Sequence, residues 1–178
     1  MAAQWSTAWL GQEIVIYRDG EVVDRVGAAD IERVVFVYAN AGDTPGDLRY
    51  AVVELAEEHV IFPAETGFAG RVHFERQSFW QGRNCIYWVS EQRARLPARH
   101  RRGGLWFMRR STPAFLRLPR VELAPVLEQW PLEGPQTWEQ RKWQRIERGR
   151  PFADAAAKAK SSPLPGRDDS QGIKRMSA

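Results

Sequence analysis

Two β-branched runs, Glu13-Ile14-Val15-Ile16-Tyr17 and Glu21-Val22-Val23-Asp24-Arg25-Val26, are separated by Arg18-Asp19-Gly20. An Asp-Gly pair between such runs is a strong hairpin signal, because a type I′ turn needs positive φ at both central residues. A hairpin of this kind commits the chain to a sheet, and the next segments extend it. Ala29-Asp30 leads into a third strand over 31–39, whose continuous apolar stretch Val34-Val35-Phe36-Val37-Tyr38 calls for burial on both faces or a central position. Asn40 to Asp47 reads as a loop, Leu48 to Leu55 as a fourth strand anchored by Tyr50, Val52 and Val53, and His59 to Phe62 as a fifth that Pro63 ends. Strands joined by such short connections predict an antiparallel meander.

Trp5 and Trp9, four residues apart, fit one face of a helical turn, so residues 1–11 are expected to form an arm that packs back on the domain. Over 66–81, Phe68, Val72 and Phe79 fit one helical face with Thr66 as its cap, although 71–75 alternates like a strand; the helix is the expectation. Cys85 to Val89 reads as a further strand, with Cys85 a small buried apolar residue. Two short strands are expected inside 92–120, around Leu105-Trp106-Phe107-Met108 and Phe115-Leu116. Leu123, Val126, Leu127 and Trp130 follow helical spacing; Pro125 is expected in the first turn of that helix and Pro131 to stop it. A second helix opens on the capping box Thr137-x-x-Gln140, carries Trp138, Trp143 and Ile146, and ends at Gly149 and Pro151. Residues 150–178 hold almost no large apolar side chain before Ile173 and are expected to be disordered.

Charge divides the chain. Residues 1–91 carry 7 basic and 14 acidic side chains, a net of −7, and residues 92–178 carry 19 and 8, a net of +11. Nine arginines and no acid fall within 92–120. The single cysteine excludes an intramolecular disulfide, which fits a cytoplasmic setting. The start of the sequence lacks the basic and apolar regions of a secretory signal. The longest strongly apolar run, Val34 to Ala39, is far short of the ~20 residues of a membrane span.

The order of hairpin, third strand opening with Ala29-Asp30-Ile31-Glu32-Arg33-Val34, and two further strands resembles bacterial pleckstrin-homology-like domains over roughly residues 12–63. The resemblance implies a small curved barrel used for binding or scaffolding. The chain departs from that family in placing a helix at 66–81 and two more after residue 120, where the family has a single closing helix.

Arg93, Arg95, Arg99, Arg101, Arg102, Arg109, Arg110 and Arg117 form the candidate anion- or partner-binding set, together with Trp106. Arginine offers a planar, permanently charged fork to phosphate or carboxylate, and interleaved aromatics can stack on bases. The competing reading is that these arginines neutralise the acidic half of the same chain or of a partner. Trp138 and Trp143 are five apart on one helix and cannot share a face squarely, so Trp138, Trp143 and Ile146 are the candidate partner-binding helix. His59, His73 and His100 have no metal-ligand spacing. Glu54-x-x-Glu57-Glu58-His59 could gather oxygen and nitrogen ligands but spans a strand, turn and strand. The loop Asn40-x-Gly42-Asp43-x-x-Gly46-Asp47 has spaced acids without the full calcium pattern. No phosphate cradle or dinucleotide fingerprint is written in the chain, and Cys85 makes no catalytic dyad by pattern.

The expectation is therefore an α+β, mainly β protein: an antiparallel meander or small PH-like barrel with one intervening helix and two short C-terminal helices. Its parts are the arm 1–11, a β-rich domain 12–120 with the arginine-rich segment 92–120, helices over 121–149 and a tail over 150–178. Its expected role is non-catalytic, a binding or scaffold subunit with a protein partner and with no cofactor or metal. The alternative is nucleic-acid binding through 93–120; an anionic membrane surface is a third, lesser partner class.

Overall fold

Eight strands and two α-helices are found among the residues that the computed structural model describes, which are 4–68, 80, 82–100 and 115–149. Strands β1 (Trp5–Leu10), β2 (Glu13–Arg18) and β3 (Glu21–Gly27) form an antiparallel sheet in that order. Strands β4 (Arg33–Tyr38), β5 (Leu48–Glu54), β6 (Glu58–Pro63), β7 (Ile86–Ser90) and β8 (Leu116–Pro119) form a second sheet in the order β7-β4-β5-β6-β8. Helix α1 spans Arg120–Leu127 and α2 spans Trp138–Arg148. The protein is thus α+β and mainly β. No helix among the described residues is long and apolar enough to cross a membrane. The chain divides into two compact units, Met1–Lys142 and Trp143–Ala178.

The Asp-Gly turn is as expected: Asp19 and Gly20 have φ of 53° and 89°, and Arg18 pairs with Glu21 across it. Other parts differ. The hairpin joins β1 in a sheet of its own, so the expected meander is split into two, β1-β2-β3 and β4-β5-β6, and the two sheets do not close into a barrel. Residues 5–10 are a strand, not a helical turn. The i, i+4 spacing of Trp5 and Trp9 also keeps them on one face at the two-residue period of a strand. Strand β7 runs parallel to β4, pairing Val34 with Ile86 through Tyr38 with Ser90. A parallel neighbour requires a long crossover, and the stretch between Pro63 and Ile86 supplies the length. Most of the helix expected over 66–81, the strand expected around Trp106 and the tail lie outside the described residues.

The five-stranded sheet is buried on both faces, which explains the continuous apolar run of β4. Val34, Phe36, Val53, Phe62 and Trp88 face the three-stranded sheet, whose Trp9, Ile14, Ile16 and Val26 complete that core. Val35, Val37, Tyr50, Val52 and Ile61 face the other way, under Leu123 and Leu127 of α1 and Trp130. Cys85 is buried in the first core, and burial pushes its thiol pKa up. Pro125 falls inside α1, not in its first turn, because the helix begins at Arg120. The sequence gives no warning of that start, since Pro119 is the N-cap and provides no side-chain cap. Pro125 removes the helical bond to the carbonyl of Val121, a residue 81% exposed and open to water.

Candidate partner-binding site

The segment before α2 lies along strand β7. Trp88 and Glu133 exchange backbone hydrogen bonds of 2.9 and 2.8 Å, and the Gln136 amide donates to the Ile86 carbonyl at 2.9 Å. The Trp88 indole N–H donates to the Gln136 carbonyl at 2.8 Å. The chain fits this closely only because residue 134 is glycine: its φ is 124°, and a Cβ there would stand 2.9 Å from the Ile86 carbonyl oxygen. The expected capping box then opens α2. The Thr137 amide donates to Gln140 Oε1 at 2.8 Å and the Gln140 amide to Thr137 Oγ1 at 3.3 Å.

One turn into α2, Arg141 is 4% exposed. Its guanidinium carbon lies 4.1 Å from the Tyr38 ring centre and 5.3 Å from that of Trp88. Its Nη1 donates to the carbonyls of Ala41 and Gly42 at 2.9 and 3.2 Å. Glu133 Oε2 is 3.5 Å from its Nε, and Glu133 Oε1 accepts the Tyr38 hydroxyl at 2.7 Å. Burial, followed by that carboxylate, pushes the Tyr38 phenol pKa up. Two aromatic faces, two carbonyls and a carboxylate therefore cage one cation.

The loop with spaced acids builds part of this cage. Asp47 accepts the Asn40 side-chain amide at 2.9 Å and the backbone N–H groups of Asp43 and Thr44 at 3.1 and 3.2 Å. The Asn40 hydrogen bond leads the causes that hold the Asp47 carboxyl below its usual range. Thus fixed, the loop aims the carbonyls of residues 41 and 42 at Arg141. Gly42 has φ of 66°, and a Cβ would meet the Tyr38 ring at 2.7 Å.

On α2 itself, Trp143 is 57% and Ile146 38% exposed. They are neighbours at i, i+3 on one helical face. Glu147, exposed, stands four residues after Trp143 on the same side of the helix. Trp138 is partly buried and packs against the first core. The three residues expected to act together therefore separate: Trp138 faces inward, while Trp143 and Ile146 are open.

The arginines separate too. Arg117 donates to both carboxylate oxygens of Asp24, at 3.1 and 3.2 Å, and to Glu58, tying β8 to β3. Arg120 donates to Glu32 at 2.8 Å and lies 2.5 Å from Glu54 Oε1. For these two, charge balance with the acidic half holds. Arg93, Arg95 and Arg99 are exposed, with Arg99 3.7 Å from Glu122. Arg101, Arg102, Arg109, Arg110 and Trp106 lie outside the described residues.

Glu54 and His59, considered above as ligands, do meet across β5 and β6, with His59 Nε2 3.9 Å from Glu54 Oε2. Glu54 is already committed: Arg33 Nε donates to Oε2 at 2.7 Å and Arg120 takes Oε1. Among the described residues no group of three or more metal-ligating side chains gathers.

No family model, no curated protein and no solved structure matches this chain. Pattern reading missed Arg141, Tyr38 and Glu133. The capping box was a usable signal, because it fixes the phase of α2 and turns Arg141 to the same side as Trp138.

Proposed function

We propose that this protein is a non-catalytic binding or scaffold protein, a subunit or adaptor of a larger protein assembly, and that α2 presents a contact stripe of Trp143 and Ile146. The observation that carries the reading is a tryptophan 57% exposed beside an exposed isoleucine on one helical face. A large aromatic left in water on a helix face is the kind of residue that dominates binding energy at interfaces. The partner surface that fits the stripe is apolar at its centre. The resemblance of residues 12–63 to PH-like domains is in keeping with a binding role. The test is a native pull-down with the full chain, followed by the double variant Trp143→Ala, Ile146→Ala. A stable protein partner that the wild type retains and the folded variant loses supports the reading; a partner retained equally by both overturns the role of the stripe.

A second reading, nucleic-acid binding, is favoured by the exposure of Arg93, Arg95 and Arg99. It predicts affinity for DNA or RNA that falls steeply with salt, as neutralised phosphates release counterions. Alanine at Arg93, Arg95 and Arg99 should flatten that slope. A slope indifferent to the three substitutions removes these arginines from the reading.

A further inference from the structure

His59 is fully buried in β6, and neither of its ring nitrogens has a hydrogen-bond partner among the described residues. Buried polar groups in folded proteins are nearly always paired, so this imidazole needs a reason. It lies on the same sheet face as Ile61, the face covered by Leu123 and Leu127 of α1. Its cross-strand neighbours are Glu54 on β5 and Leu118 on β8. The charged groups acting on it are Glu54, Arg120 at the start of α1 and Arg33 on β4. Glu54 is the acceptor within reach, and both its oxygens already serve arginines. A proton on His59 would put a third cation around one occupied carboxylate. Relief requires the ring to reach water, which means lifting what covers it.

A second histidine guards the same helix. His100 is 6% exposed, its Nε2 accepts the Arg99 Nε–H at 2.8 Å, and it stands 3.9 Å from Glu122 of α1. Protonating it breaks the bond from Arg99. Both histidines near α1 are thus built to be neutral.

We propose that α1 together with β8 is an acid-released cover over the second core, held shut while His59 and His100 are neutral and loosened when they take up protons. The direction follows from burial, which pushes both imidazoles below their ordinary value. At His59, Glu54 opposes this while Arg120 and Arg33 add to it; at His100, Arg99 adds and Glu122 opposes. The closed form resists a proton that the open form accepts below about pH 6.5. The advantage of the closed form is therefore full above that pH and declines as pH falls toward the closed-form pKa, about tenfold per pH unit for each histidine.

Hydrogen exchange on the full chain at about pH 7.5, 6.5 and 5.5, read as protection factors, tests this. Protection of α1 and β8 should fall about tenfold or more across the lower unit while β4 and β5 keep theirs. His59→Leu should reduce the slope, and adding His100→Gln should abolish it. Loss spread equally over β2, β4 and α1, no loss in the wild type, or an unchanged slope in the double variant would overturn the proposal. If the variants do not fold, imidazole NMR of the wild type decides. A closed-form His59 titrating below about 6.5, with α1 opening over the same range, supports the cover; titration at or above that value with α1 protection intact overturns it.

Discussion

Replacing Arg141 by methionine removes the cation from its cage while keeping an apolar stem against Tyr38 and Trp88. The lost terms are two charge-assisted bonds to the carbonyls of Ala41 and Gly42 and the contact with two aromatic faces. Truncating one partner of a fully buried ion pair costs ~3–5 kcal/mol, largely because the other charge is stranded. Here Glu133 is not stranded: its side chain is 46% exposed and can rehydrate. The carbonyl bonds and the cation–π contacts then set the scale, about 2–3 kcal/mol in total. Urea unfolding of the full chain should show the midpoint falling by roughly 1 M with the slope unchanged. Arg141→Lys should recover less than half of the loss, because an ammonium has no flat face to lay on the Tyr38 ring and no second nitrogen to turn toward Glu133. The Tyr38 phenol, which Arg141 pulls down against Glu133 and burial, should titrate higher in the methionine variant. A midpoint shift equivalent to less than about 0.5 kcal/mol, the range of ordinary surface substitutions, would refute the claim that the cage holds the first turn of α2 in place.

Gly42→Ala forces a Cβ onto the Tyr38 ring at positive φ and should cost about 2 kcal/mol or more, a fall in Tm on the order of 5 °C by calorimetry. Trp143→Ser should leave stability within about 0.5 kcal/mol of wild type, since the side chain is mostly in water; a larger loss would mean that it packs within the chain. Arg117 and Asp24, coupled by a two-toothed contact between partly exposed side chains, should show an interaction of about 0.5–1 kcal/mol in a double-mutant cycle. A value indistinguishable from zero would mean that this contact adds nothing measurable to the join between β8 and β3.

Local signals in the sequence were reliable where one residue type has one use. Asp19-Gly20 set a turn, Thr137-x-x-Gln140 set a helix start, and the run Val34 to Tyr38 announced a strand covered on both sides. What could not be read was pairing between distant strands. Nothing in Ile86 to Ser90 says that its neighbour is β4 in parallel register rather than β6, because that choice depends on how the intervening chain crosses over. The start of α1 was hidden because Pro119 lacks a capping side chain, which pushed the expected boundary toward Pro125. The cage was hidden for a related reason: it draws Tyr38, the carbonyls of 41 and 42, Trp88, Glu133 and Arg141 from four separate segments. The spaced acids of 40–47 were visible, but their use, organising a loop that presents carbonyls to a cation, was not.

The strip of backbone from Glu133 to Gln136 has a consequence for how the chain is made. Strand β7 is the outer strand of its sheet, and residues 133 and 136 satisfy the backbone groups that would otherwise face outward. Until that strip has left the ribosome, or in any fragment cut before it, β7 carries an open edge, a template for pairing with another chain. A fragment that ends before residue 133 should therefore aggregate more readily than the full chain.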